Sequence, residues 1–358
     1  GPIQVDTSAP VATFTTKPGS RARGTLTYVL HFNEPIVTTP GSAASLENTD
    51  FVYTGTAAGC QISITPIAAS NDYTIELSTC GEGSLTLQLI DDAVTDLVGN
   101  TGQLAIFANT TVDNTGARVI SVTTGSSSPT NASSVTFSIV FSESVTGLAA
   151  NSSDFTINSN IAPTSCTFGS LTGSGTTYSL TLNNCGDGEV ISLTVNDGAV
   201  VDLAGNSSAT TTTAKTSANL TIDRTPATAT FSTQSSTNAT GQFTIVATFS
   251  EAVTGVVSSS FSNTGTASIG TIVVTRVNAT TYNLAITAVS SGTVILQLVG
   301  PATDLAGNAA PQLGVSSTSS AVTVALAGLT QGFTTNPNPL VNQDPSYILT
   351  FSRSVTGL

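Results

Sequence analysis

YVLHFNEPIVT at Tyr28–Thr38, FSIVFSESVTGL at Phe137–Leu148, IVATFSEAVTG at Ile245–Gly255 and YILTFSRSVTGL at Tyr347–Leu358 are four versions of one phrase. Each is an alternating apolar run that closes on Glu34, Glu143, Glu251 or, in the last copy, Arg353. These positions lie 109, 108 and 102 residues apart, a spacing that suits one sandwich domain. Self-similarity at a fixed period defines the architecture before any single motif does.

Two further marks recur in the same phase. A closing phrase reads DLVGN at Asp96–Asn100, DLAGN at Asp202–Asn206 and DLAGN at Asp304–Asn308. An opening phrase reads VDTSAP at Val5–Pro10, VDNTGA at Val112–Ala117, IDRTPA at Ile222–Ala227 and a degenerate VALAGL at Val324–Leu329. The boundaries that follow are 5–111, 112–221, 222–323 and an incomplete 324–358. Within the first repeat, alternating runs bounded by Gly, Asn, Asp and Pro predict seven strands: about Val11–Thr16, Leu26–Phe32, Phe51–Thr54, Gln61–Thr65, Tyr73–Leu77, Leu85–Leu89 and Leu104–Val112. In the second of these, alternation turns Tyr28, Leu30 and Phe32 inward.

The fold class expected is all-β, with tandem immunoglobulin-like sandwiches of about seven strands forming a linear rod. The opening, Phe-Ser-Glu and closing phrases resemble tandem bacterial-type Ig-like repeats of large cell-surface and adhesin proteins, and the resemblance spans the chain. It implies an Ig-like fold and a surface-exposed rod that is often stiffened by calcium. The final piece holds only two strands, which bury no core by themselves. Either the chain continues past Leu358 or another chain completes that piece.

Composition agrees with this reading. Ser and Thr make up about three residues in ten, Val is frequent and Met and Trp are absent, which favours half-buried pleated strands. Eight Lys and Arg stand against 21 Asp and Glu, for a net charge of -13. Such a surface repels phosphate and anionic lipid, so neither nucleic acid nor a membrane is an expected partner. No apolar stretch reaches 18 residues, and no basic-then-apolar leader opens the sequence.

Cys60 and Cys80 are 20 residues apart, and Cys166 and Cys185 are 19 apart at matching places in the next repeat. Two intradomain disulfides are expected, each closing a loop that contributes about 3 kcal/mol in an oxidising compartment. Four buried thiols are the alternative. Zinc is disfavoured by the missing CxxC spacing and the single histidine, His31, which reads as an outward strand residue.

The acids are the candidate site. If strands alternate in direction, the linker, the loop after the second strand and the closing loop meet at one end of each sandwich. That gathers Asp6, Glu34, Asp50, Asp96 and Asn100 in the first repeat, and Asp113, Glu143, Asp154, Asp202 and Asn206 in the second. In the third it gathers Asp223, Glu251, Asp304 and Asn308. Crowded carboxylates repel unless a cation is present, and Ca²⁺ takes six to eight such oxygens, so calcium is the expected ligand. The opposite end carries Glu82 in CGEG and Asp187 in CGDG, and both are added to the candidate ligands. In the third repeat that loop holds Ser290 and Ser291, while the following repeat has Ala325 and Arg353 for its linker Asp and strand Glu. Acids vanish from both sides of that junction together. The competing explanation is that the Asp and Asn residues only stabilise turns.

No nucleophile, base and cleft residue stand together in the sequence, and paired acids repeated in every full repeat do not suit a glycosidase, so no enzyme is expected. The expected role is a rod-like spacer or stalk of a cell-surface adhesin or appendage. Its partners would be further repeats or neighbouring copies, with any glycan or cell-surface ligand held outside this segment. A laterally packed filament or flagellar-hair subunit and a ligand- or carbohydrate-binding adhesion module are the alternatives. Seven glycosylation sequons, at Asn109, Asn131, Asn151, Asn206, Asn219, Asn238 and Asn278, match chance in so Ser- and Thr-rich a chain.

Overall fold

The computed structural model describes residues 5–37, 46–102, 108–208, 215–233, 241–311, 317–326, 328, 331–335 and 347–351. Arg353 and the beginning of the first repeat's seventh predicted strand lie outside them.

The first repeat forms two four-stranded sheets. One has the order Ala12–Thr16, Leu26–Phe32, Asp72–Ser78, Gln61–Pro66, all antiparallel. The other has the order Arg21–Ala22, Ala108–Val112, Gly83–Leu89, Phe51–Gly55, and its first pair is parallel. This is the immunoglobulin-like arrangement, in which the first strand splits and serves both sheets. Tyr28, Leu30 and Phe32 are all fully buried, as period-2 alternation requires of a strand with one face on the core. Ile75 and Leu77 lie beside them on the neighbouring strand of the same sheet, and Leu85 and Leu87 of the other sheet complete the same core.

The second repeat repeats the plan with Val119–Thr124, Ser134–Thr146 and the long segment Thr167–Asn183 in one sheet. Phe155–Ser159, Val190–Val195 and Leu220–Thr221 form the other. The third repeat pairs Ala229–Thr233, Gln242–Phe249, Thr281–Thr287 and Val273–Arg276. Its second layer is broken into short pairs, among them Phe261–Asn263 with Leu296–Leu298. Each sheet draws its strands from one repeat, although Ala108–Val112 and Val322–Val324 run one residue past a sequence boundary. Gln331–Thr335 and Tyr347–Phe351 form a hairpin.

By internal contact the chain divides into two compact units, Gly1–Ser126 with Ser133–Leu220, and Ser127–Ala132 with Thr221–Leu358. Cys60 is bonded to Cys80 and Cys166 to Cys185. No helix is long and apolar enough to cross a membrane.

One aromatic pair recurs in every full repeat. Phe32 meets Tyr73, Phe141 meets Tyr178 and Phe249 meets Tyr282, edge to face, with ring centroids 5.9, 6.0 and 5.7 Å apart. Each Phe is the residue two before the phrase's Glu, so the pair anchors the strand end from which that Glu emerges. The Tyr178 and Tyr282 hydroxyls donate to the carbonyls of Val145 and Val253 at 2.8 and 2.9 Å, pinning the chain just beyond. Phe249→Ala is expected to cost about 3–5 kcal/mol. Urea unfolding followed by hydrogen exchange within Gln242–Phe249 will show the loss in the third repeat.

Candidate functional site

The closing phrase folds into the same loop three times, with one donor shifted by a residue in the third copy. The Asp96, Asp202 and Asp304 N–H groups donate to the carbonyls of Asn100, Asn206 and Asn308 at 3.0, 3.0 and 3.1 Å. Gly99, Gly205 and Gly307 turn the loop at φ of 97°, 89° and 97°, where any other L-residue is strained. The Asp side chain fills the loop's interior. Asp96 Oδ1 accepts from the N–H of Val98 and Asn100, and Oδ2 from the Asn100 amide. Asp202 does the same with Ala204 and Asn206, and Asp304 with Gly307 and Asn308. These carboxylates are only 2, 3 and 4% exposed, so the donors are essential to keeping them there. Burial pushes the Asp96 pKa up, but the hydrogen bonds from Asn100, Val98 and Gly99 outweigh it and hold it below the usual carboxylate value.

The asparagine also reaches out of its loop. Asn100, Asn206 and Asn308 each donate an amide hydrogen to the carbonyl of the linker Asp, namely Asp6, Asp113 and Asp223, at 3.2, 2.9 and 3.0 Å. The asparagines, proposed from sequence as ligands, therefore position the linker through their amide nitrogens. Asn206 is buried and fully engaged, which leaves its sequon no room for a glycan.

With the linker fixed, three carboxylates meet at each site: Asp6, Glu34 and Asp96; Asp113, Glu143 and Asp202; Asp223, Glu251 and Asp304. One oxygen from each lies within 4.8 Å of the others. Burial raises the Glu34 pKa, and the charges of Asp6 and Asp96 raise it further. Glu143 is raised by burial and by Asp113, Asp202 and Glu82, while Arg21 pulls it down.

The other acids grouped from sequence stand apart from these triads. Asp50 turns back to accept from the Glu47 N–H, and Asp154 from the Ala149 N–H, each closing the turn before the third main strand. Asp187 joins none of the three groups. Glu82 does sit at the first linker, where its carboxylate accepts from the Thr115 hydroxyl and, at 3.3 Å, the Asn114 N–H. His31 faces outward and pairs with Asp72, Nδ1 to Oδ1 at 2.6 Å.

Sequence reasoning missed Glu189. This fully buried carboxylate accepts from the hydroxyls of Ser159, Thr164 and Ser165 at 2.7, 2.6 and 2.7 Å and from the Gly186 N–H at 2.8 Å. Burial opposes its charge, yet these donors prevail and hold its pKa at about 2. By strand register its place is that of Gly83 and Gly292 in the neighbouring repeats, and an acid replacing a glycine beside a cysteine loop was the available signal.

No family model matches the chain, and no curated protein matches it. Among solved structures it is similar to the Escherichia coli adhesin FdeC, with 14% identity and a TM-score of 0.38 over 91% of this chain and 99% of that one. It is similar to invasin, a bacterial integrin-binding protein, with 13% identity and a TM-score of 0.33 over 96% and 67%. The D00-D0 domain of intimin gives 15% identity and a TM-score of 0.25 over 60% and 98%. At these values the likenesses say nothing of what this chain binds.

Two outcomes are expected. Asn206→Ala should destabilise by about 1–2 kcal/mol and speed amide exchange at the first linker, because both the buried Asp202 and the Asp113 carbonyl lose a donor. Glu189 has its folded pKa below its unfolded value, so its contribution is fully present above about pH 4.5 and drains away as pH falls toward 2. Glu189→Gln should flatten that acid dependence in a pH series of denaturant melts.

Proposed function

We propose that this chain is a segment of an extracellular structural protein, a rod-like spacer or stalk of a cell-surface adhesin or appendage, whose linkers take up calcium. The observation that carries this reading is the triad. In each of three repeats it combines one carboxylate from the linker, one from the end of the strand holding the recurrent Phe, and one from the closing loop. A cation held by all three ties the linker to the sandwich. Two oxygens on opposite sides of a Ca²⁺, each about 2.4 Å away, are about 4.8 Å apart, so the observed spacing fits that ion. Two disulfides suit an oxidising exterior. A string of cores with a repeated, chemically specified joint is suited to spanning distance, and no reaction is assigned to it.

Small-angle scattering of the full chain in calcium and then in chelator tests this. A rod that shortens or loosens on chelation supports the reading, and identical profiles refute it. Asp202→Asn and Asp304→Asn should each remove about one calcium per chain in calorimetric titration. No change in stoichiometry would leave the triads as turn and linker elements only.

A further inference from the structure

With only eight Lys and Arg in the chain, the place of each is informative. Arg21 opens the strand Arg21–Ala22, which pairs in parallel with Thr111 and Val112, the two residues before the linker Asp113. That register directs its guanidinium into the second triad, with Nη1 3.5 Å from Asp113 Oδ2 and 4.0 Å from Glu143 Oε2. The loop is held there by its backbone: the Thr111 N–H donates to Ser20 at 2.8 Å, the Asp113 N–H to Ala22 at 2.9 Å, and the Gly24 N–H to Asn114 Oδ1 at 2.9 Å. One side chain of the first sandwich thus touches both the linker and the second sandwich.

We propose that Arg21 is a tethered counter-cation of the second triad, clamping the first linker and the second sandwich to the first without a metal ion. Three carboxylates with an oxygen each within 4.8 Å of the others repel. A guanidinium forks to two acids at once and stays charged at any physiological pH. Arg21 is about half exposed, so each pair alone is weak. Here the backbone pairing has already fixed the arginine's base, which lowers the entropy lost in bringing its head to the acids. Thr130 faces Ile222 as Ala22 faces Val112, so the place of Arg21 in the second repeat belongs to Pro129, which has no charge to offer.

The clamp deepens the reading of the triads as cation sites but is tested apart from it. Hydrogen exchange of the full chain in chelator is compared for wild type, Arg21→Ala and Arg21→Lys. Arg21→Ala should speed exchange of residues 113–116 roughly threefold to tenfold, with residues 223–226 unchanged, and Arg21→Lys should fall between. Equal exchange of residues 113–116 in wild type and Arg21→Ala would overturn the clamp, as would equal acceleration at both linkers, which reports general loosening. Because no calcium is present, neither result depends on whether the triads bind it.

Discussion

A carboxylate withdrawn from water must be surrounded by donors, and the linker end of every full repeat is arranged around that requirement. Asp96, Asp202 and Asp304 are buried in a five-residue loop whose own N–H groups and asparagine amide point at them. The asparagine then has one amide hydrogen left, and it goes to the carbonyl of the linker Asp. The chain of cause runs from one buried charge to a closed loop, from the loop to a fixed linker, and from the linker to three carboxylates within reach of one ion.

Hydrogen bonding within the closing loop accounts for only part of the site. The Asn of the closing loop and the burial of its Asp are accounted for by hydrogen bonds, and that Asp still offers an oxygen to the triad. Glu34 and Glu143 differ: burial first, and then the neighbouring acids, push their pKa values upward, an arrangement that costs free energy unless something positive offsets it. In the second triad part of that offset is visible as Arg21.

The strands were legible because one face of each is dry. Period-2 alternation placed the first repeat's expected strands within two residues wherever they are described, though not the short Arg21–Ala22 strand, and it placed Tyr28, Leu30 and Phe32 inside. The triads were legible because three marks recur in phase. Asp50 and Asp154 show the limit of that logic: topology brings a residue to an end of the sandwich, but local backbone decides whether its side chain faces the linker or its own turn. Arg21 was illegible for another reason. Its role depends on a two-residue parallel pairing with residues ninety positions later, which no local pattern encodes.

Comparison of the repeats separates what the design can vary from what it keeps. Ser84 meets Thr56 through paired hydroxyls at 3.3 Å and Thr293 meets Thr266 at 3.1 Å, whereas the second repeat gathers three hydroxyls around Glu189, one residue earlier in the register. The disulfide of the first two repeats gives way in the third to buried Ala288, with the backbone bonds Gly270 to Thr287 and Val289 to Ser268 holding the two segments together. Covalent, ionic and neutral solutions all serve the sandwich interior, since a core needs only filled volume and satisfied polar groups. The closing loop, the asparagine bond and the acidic triad do not vary across three repeats. A core tolerates substitution one residue at a time, but three carboxylates from three separate segments come together only if loop, asparagine and linker all keep their places, so geometry there is the quantity held constant.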